Sequence, residues 1–135
     1  MSENTENVSP PLGMWGFLIA AGILGGWLTA EVLWRRLFGQ DVWTDSAFGL
    51  WSAVLVHAGL TPENISWLFL ELGLGCISAG IGVYLRQSWG YPWGMLTMVL
   101  CALQLGWGTP LALVCVWLLN TPGMRRYLAA PRPQK

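Results

Sequence analysis

From Ile65 to Leu85 the chain reads ISWLFLELGLGCISAGIGVYL, a run of 21 residues broken by a single charge, Glu71. About 20 predominantly apolar residues in helical form cross a hydrocarbon core ~30 Å thick, so this stretch predicts a transmembrane helix with a carboxylate inside it. The chain as a whole agrees. Across 135 residues, 54% hydrophobic and only 10% charged, it has one domain's length and too little polar surface to cover a water-soluble core. The expected class is all-α: an integral membrane protein with four transmembrane helices and one interfacial amphipathic helix.

Lys and Arg together balance Asp and Glu, leaving zero net charge, and no basic run exceeds two residues. Nucleic acid is therefore excluded as a partner, and no polybasic patch for anionic headgroups is expected. The expected partners are the lipid bilayer and other membrane subunits or further copies of the chain. Ten tryptophans are too many for a small soluble core but suit membrane interfaces, where the ring and its N–H meet different surroundings. Trp15, Trp34, Trp43, Trp67, Trp89, Trp93 and Trp117 fall near expected helix ends and read as anchors. Cys76, Cys101 and Cys115 sit in apolar runs without Cys-x-x-Cys spacing, which suggests neither a metal site nor a disulfide framework.

The first twelve residues are polar with a Pro-Pro pair and are expected to be disordered; their acids, without Lys or Arg, do not form a signal-peptide n-region. A single helical domain follows over 13–128, with a tail at 129–135. Helices are expected at 13–36, 46–60, 62–85, 92–106 and 109–120. The segment Ser46–Leu60 would extend only about 22 Å, which favours an interfacial position over a crossing. Thr61-Pro62-Glu63 reads as N-cap, first helical residue and acidic first turn. The GWGTP segment 106–110 breaks the last apolar region into a hairpin, because Arg86 and the basic group Arg125, Arg126, Arg132 and Lys135 should share one side. Four crossings then place both termini in the cytoplasm of an inner membrane. The competing topology lets Ser46–Leu60 cross and moves the N-terminus outside.

Within the first helix Gly22, Gly26 and Ala30 recur every four residues, a stripe that lets a second backbone approach closely. Glu31, four residues before Arg35, reads as a same-face ion pair within reach of water. On the central helix Glu71, Gly75, Ser78 and Gly82 share a face. That face is expected to pack against the Gly22/Gly26/Ala30 stripe with Thr29 beside it, or against Thr97 and Gln104 of the hairpin, with Glu71 as a buried hydrogen-bonding clamp. Contact with a partner subunit and proton or ion handling are the alternative roles for this carboxylate.

His57 is the single histidine. Ala53-Val-Leu-Val-His57-Ala-Gly-Leu60 resembles the pattern by which light-harvesting polypeptides offer a histidine to bacteriochlorophyll magnesium, with the leucine one position early. A bacteriochlorophyll or haem ligand at His57 is thus a minor alternative to the expectation of no cofactor and no metal. No nucleophile–His–acid set, phosphate-cradling loop or paired catalytic carboxylates can be assembled, so a non-enzymatic protein is expected.

Gly80-Ile-Gly-Val-Tyr-Leu-Arg-Gln-Ser-Trp89, then Gly108-Thr-Pro-Leu-Ala-Leu at the hairpin tip and Asn120-Thr-Pro-Gly-Met-Arg-Arg-Tyr127 at its end, resemble small uncharacterised bacterial inner-membrane proteins with four helices. The likeness covers roughly the C-terminal half. It implies four helices with both ends cytoplasmic, and no activity.

Overall fold

The computed structural model describes residues 10–39, 54, 57–59, 61–103 and 108–130. Among them are five helices and no strand: α1 Leu12–Phe38, α2 Pro62–Tyr84, α3 Gly90–Leu103, α4 Gly108–Leu119 and α5 Pro122–Ala129. Apart from residue 54 and residues 57–59, the helix expected over Ser46–Leu60 lies outside the described residues, as do Trp43, Gln104 and most of both tails.

Helix ends follow local chemistry. Thr61 is the N-cap of α2, its side chain accepting from the Asn64 N–H at 3.4 Å, and Pro62 opens the helix where a missing N–H costs nothing. α1 ends on Gly39, whose φ of 65° gives a left-handed cap with its N–H on the Arg35 carbonyl, while Arg35 and Arg36 occupy the negative end of the helix dipole. α2 closes with paired bonds from Arg86 N–H to Val83 O and from Gln87 N–H to Gly82 O, a Schellman arrangement. Its left-handed position is held by Arg86, at φ 51°, where glycine is usual.

α1 packs on α2, α2 on α3, α3 on α4, and α4 back on α1, closing a four-membered ring. Each contact is antiparallel: Leu18 meets Gly80 while Gly25 meets Gly73, and Gly90 meets Gly82 while Thr97 meets Gly75. Inside the ring lie Met14, Phe17, Val83, Met98 and Leu119, together with Cys76, Cys101 and Cys115, all fully or almost fully buried. The Cys76 and Cys101 sulfurs stand 3.5 Å apart, and all three thiols are free. Outside, the surface is strongly apolar, with Ile19, Ile23, Leu74, Ile81, Leu96 and Leu113 exposed.

Two segments, Leu12–Phe38 and Ser66–Tyr84, are long and apolar enough to cross a membrane. α3 and α4, at 14 and 12 residues, extend only about 21 and 18 Å. α3 starts two residues before the expected boundary, because Pro92 falls in its first turn, where an absent N–H leaves no bond unmade.

The ring corrects the expected stripe on α1. Gly22, Gly26 and Ala30 all face outward, and a Cβ placed on Gly22 or Gly26 would meet nothing within 4 Å. The close approach is made by Gly25, where a Cβ would fall 2.7 Å from Gly73 O, and by Thr29, whose Oγ1 would stand 2.6 Å from a Cβ on Gly73. The true contact line is Ala21–Gly25–Thr29, one residue and about 100° away from the expected one. Gly25→Val should therefore destabilise the bundle by about 1–3 kcal/mol through overpacking against backbone, whereas Gly22→Ala and Gly26→Ala should stay within about 0.5 kcal/mol of wild type. Unfolding titrations with a denaturing detergent in mixed micelles measure the difference; equal loss at all three positions would reject this packing line.

Candidate functional site

Of the four stripe residues on α2, three meet α3. A Cβ on Gly75 would lie 2.9 Å from Thr97 Cγ2, and one on Gly82 would lie 2.5 Å from the Trp89 ring and 3.0 Å from Gly90 Cα. Between them the Ser78 hydroxyl donates to the Gly75 carbonyl at 2.9 Å and accepts from Trp93 Nε1 at 2.9 Å. Thr97 turns its hydroxyl to the Trp93 carbonyl at 2.7 Å, so its methyl faces Gly75. Glycine at 75, 82 and 90 is thus what brings two backbones close enough for a serine–tryptophan bond to bridge them.

The fourth residue behaves differently. Glu71 is exposed, not enclosed as a clamp. At 100° per residue the stripe spreads over about 60° of arc, and Glu71 and Ser78 lie on its outer side while Gly75 and Gly82 lie further in. Ser78 is half-buried by its contact with Trp93; Glu71 lies further along the same outer rim. The carboxylate that the ring does enclose is Glu31, at 6% exposure, at a similar level to Ser66, also 6% exposed, near the opposite end of α2 from Arg86. The expected exposures of the two acids are exchanged: Glu31 is buried and Glu71 is exposed.

Beside this end, the Arg36 guanidinium lies 4.0 Å above the Trp67 ring. His57 is exposed, and among the described residues no group of three His, Cys, Asp or Glu side chains could hold a metal ion.

The other end of the bundle carries a polar assembly that the sequence reading missed. Asn120 Oδ1 accepts from Tyr91 Oη at 3.2 Å and from Arg125 Nη2 at 2.6 Å, while Asn120 Nδ2 donates to the Val116 carbonyl at 2.8 Å and approaches Met95 Sδ at 3.4 Å. One amide thereby ties α3, α4 and α5 together. α5 folds back over this end with Met124 and Tyr127 buried, and the Arg86 guanidinium lies 3.9 Å above the Tyr127 ring. The signal for α5 was present: Thr121-Pro122 repeats the Thr61-Pro62 opening of α2, with the Thr at the N-cap and the Pro at the start of the helix.

Comparison with protein-family models, with curated proteins and with solved structures found no match to this chain. If the Ser78–Trp93 bond joins α2 to α3, Ser78→Ala and Trp93→Phe should each weaken the fold, and a double-mutant cycle should give a coupling of about 0.6 kcal/mol. Purely additive losses would mean that the two side chains act separately.

Proposed function

We propose that the chain is a non-enzymatic, multi-pass membrane protein acting as a structural or accessory subunit of a bacterial inner-membrane assembly, through a partner subunit or through further copies of itself. One observation carries this reading: a carboxylate, Glu71, exposed on an otherwise apolar flank of the bundle. An ionisable group facing lipid is costly, and the cost is relieved by a hydrogen-bond donor or basic side chain brought by a neighbour. Because Glu71 lies outside the ring and not in its interior, contact is favoured over conduction along the bundle axis.

The membrane setting is supported by the tryptophans. Trp15 and Trp34 on α1 are nineteen residues apart, about 28 Å, close to the thickness of a hydrocarbon core. Exposed Trp89, Trp93 and Trp117 belong with Trp15 at one level, and Trp67 belongs with Trp34 at the other. Antiparallel neighbours around the ring support four crossings with both termini on one side, and α3 and α4, shorter than a ~30 Å core, are accommodated by local thinning of the bilayer. Arg86, Arg125 and Arg126 make that side the cytoplasmic one by the positive-inside rule. The resemblance to small four-helix inner-membrane proteins points the same way.

Two measurements test these statements. Phe38→Cys, exposed at the far end of α1, should react with a membrane-impermeant maleimide added to intact cells, against a low background because the native thiols are buried; reaction only after permeabilisation would invert the topology. Purification in mild detergent should yield an oligomer or a complex, and Glu71→Leu should release the partner. A stable monomer that carries nothing with it would defeat the accessory reading.

A further inference from the structure

The two ends of the bundle differ in charge. No Asp or Glu occurs after Glu71, whereas five of the seven basic residues follow it: Arg86, Arg125, Arg126, Arg132 and Lys135. The linear sequence scatters them, but the fold gathers those that are described. Arg86 ends α2, Arg125 and Arg126 lie on α5, and the Arg86–Tyr127 contact ties the two elements together.

α5 is amphipathic, and its apolar side is already used, since Met124 and Tyr127 are buried against the bundle. Its basic side is what remains. Arg125 and Arg126 are both exposed, and Arg125 is steadied by its 2.6 Å bond to Asn120, which engages one nitrogen of a group with five N–H donors. This surface adjoins the tryptophan level marked by Trp15, Trp89 and Trp117, the depth at which headgroup phosphates lie if the chain spans the bilayer. Arg86 occupies a left-handed position, φ 51°, where glycine is usual, and its guanidinium lies on the Tyr127 ring of α5.

We propose that the α5 end of the bundle is a binding surface for anionic phospholipid headgroups, with Arg125 and Arg126 as phosphate-contacting residues and Arg86 as the residue that positions α5. The occupant is identified by charge complementarity: several guanidinium groups, no local acid, and a location beside the interface, where guanidinium and phosphate pair through two parallel hydrogen bonds. The lipid is held in the leaflet, which supplies it at high local concentration without a deep pocket. This proposal rests on the membrane reading given above.

The test uses the full-length protein in nanodiscs made from phosphatidylcholine and phosphatidylglycerol, with retained lipids identified by native mass spectrometry after release. Phosphatidylglycerol should be enriched over its share in the disc. Arg126→Gln should lower the enrichment by about fivefold and Arg125→Gln with Arg126→Gln should lower it further, while Arg126→Lys, which keeps the charge but not the guanidinium fork, should lower it less than Arg126→Gln. Arg86→Ala should lower it less, accompanied by faster proteolysis after Arg125 in the disc. Excess inorganic phosphate should leave the enrichment unchanged; its loss would assign the surface to a soluble anion and overturn the lipid proposal. Equal retention of both lipids by wild type, or full enrichment in the double variant with helicity intact, would also overturn it. Failure to enter nanodiscs, with the chain soluble without detergent, would reject the membrane reading itself and is distinguishable from these outcomes.

Discussion

Where α1 passes α2, Gly25 and Gly73 stand so close that a methyl group on either would press on the other's carbonyl oxygen. Every further contact of the ring is arranged around that approach. In the proposed bilayer setting the medium is as apolar as the side chains, so burial of apolar surface gives little reason to associate, and close dispersion contact and hydrogen bonds must supply it. α2 provides such contact on two sides. Gly73 and Gly80 face α1, and Gly75 and Gly82 face α3, which makes α2 the element held by both partners. α4 closes the ring more loosely, with Leu118 over Gly13 and Gly16 and Leu119 beside Gly94.

The same physics sets what could be read from the sequence. The ends of α2 were legible because Thr61-Pro62 and the turn after Leu85 are local signals, and α1, α3 and α4 were located within a few residues because apolar length is also local. Which side of α1 packs was not. Ala21–Gly25–Thr29 and Gly22–Gly26–Ala30 are both small-residue lines at the same spacing, one residue apart, and both lie among apolar neighbours. In water a polar face would separate them; here Ile23 and Leu24 are equally apolar although one is exposed and the other buried. The exposure of Glu31 and the burial of Glu71 are misjudged from sequence for a related reason. Distance from a helix end says how easily a carboxylate reaches water, but not which way it points.

The ends of the bundle were read as charge and not as structure. In the sequence Arg86 and the Arg125–Arg126 pair count toward orientation, while the helix that carries the pair goes unread, although Thr121-Pro122 opens it as Thr61-Pro62 opens α2. What the count could not supply was the Asn120 amide. It joins Tyr91, Met95, Arg125 and the α4 backbone through four contacts, a use of one residue that only tertiary structure discloses. Polar bonds at this end do what the glycine lines do along the shafts: they fix one element against the next.

The exposure of Glu71 follows from these constraints. Gly73 and the pair Gly75 and Gly82 lie on nearly opposite sides of α2, so the helix cannot turn about its axis without leaving one of its neighbours. Rotation by about 60°, enough to carry Glu71 toward the interior, would lift Gly73 from Gly25 and replace it with side chains too large for that gap. Rotation the other way would push Ser78 off Trp93. The acid therefore stays on the flank because the glycines beside it are committed elsewhere. In the proposed membrane setting such a group would be satisfied from outside the ring, and the proposed partner would then be selected there by hydrogen bonding, while the open Gly22/Gly26/Ala30 line offers only shape.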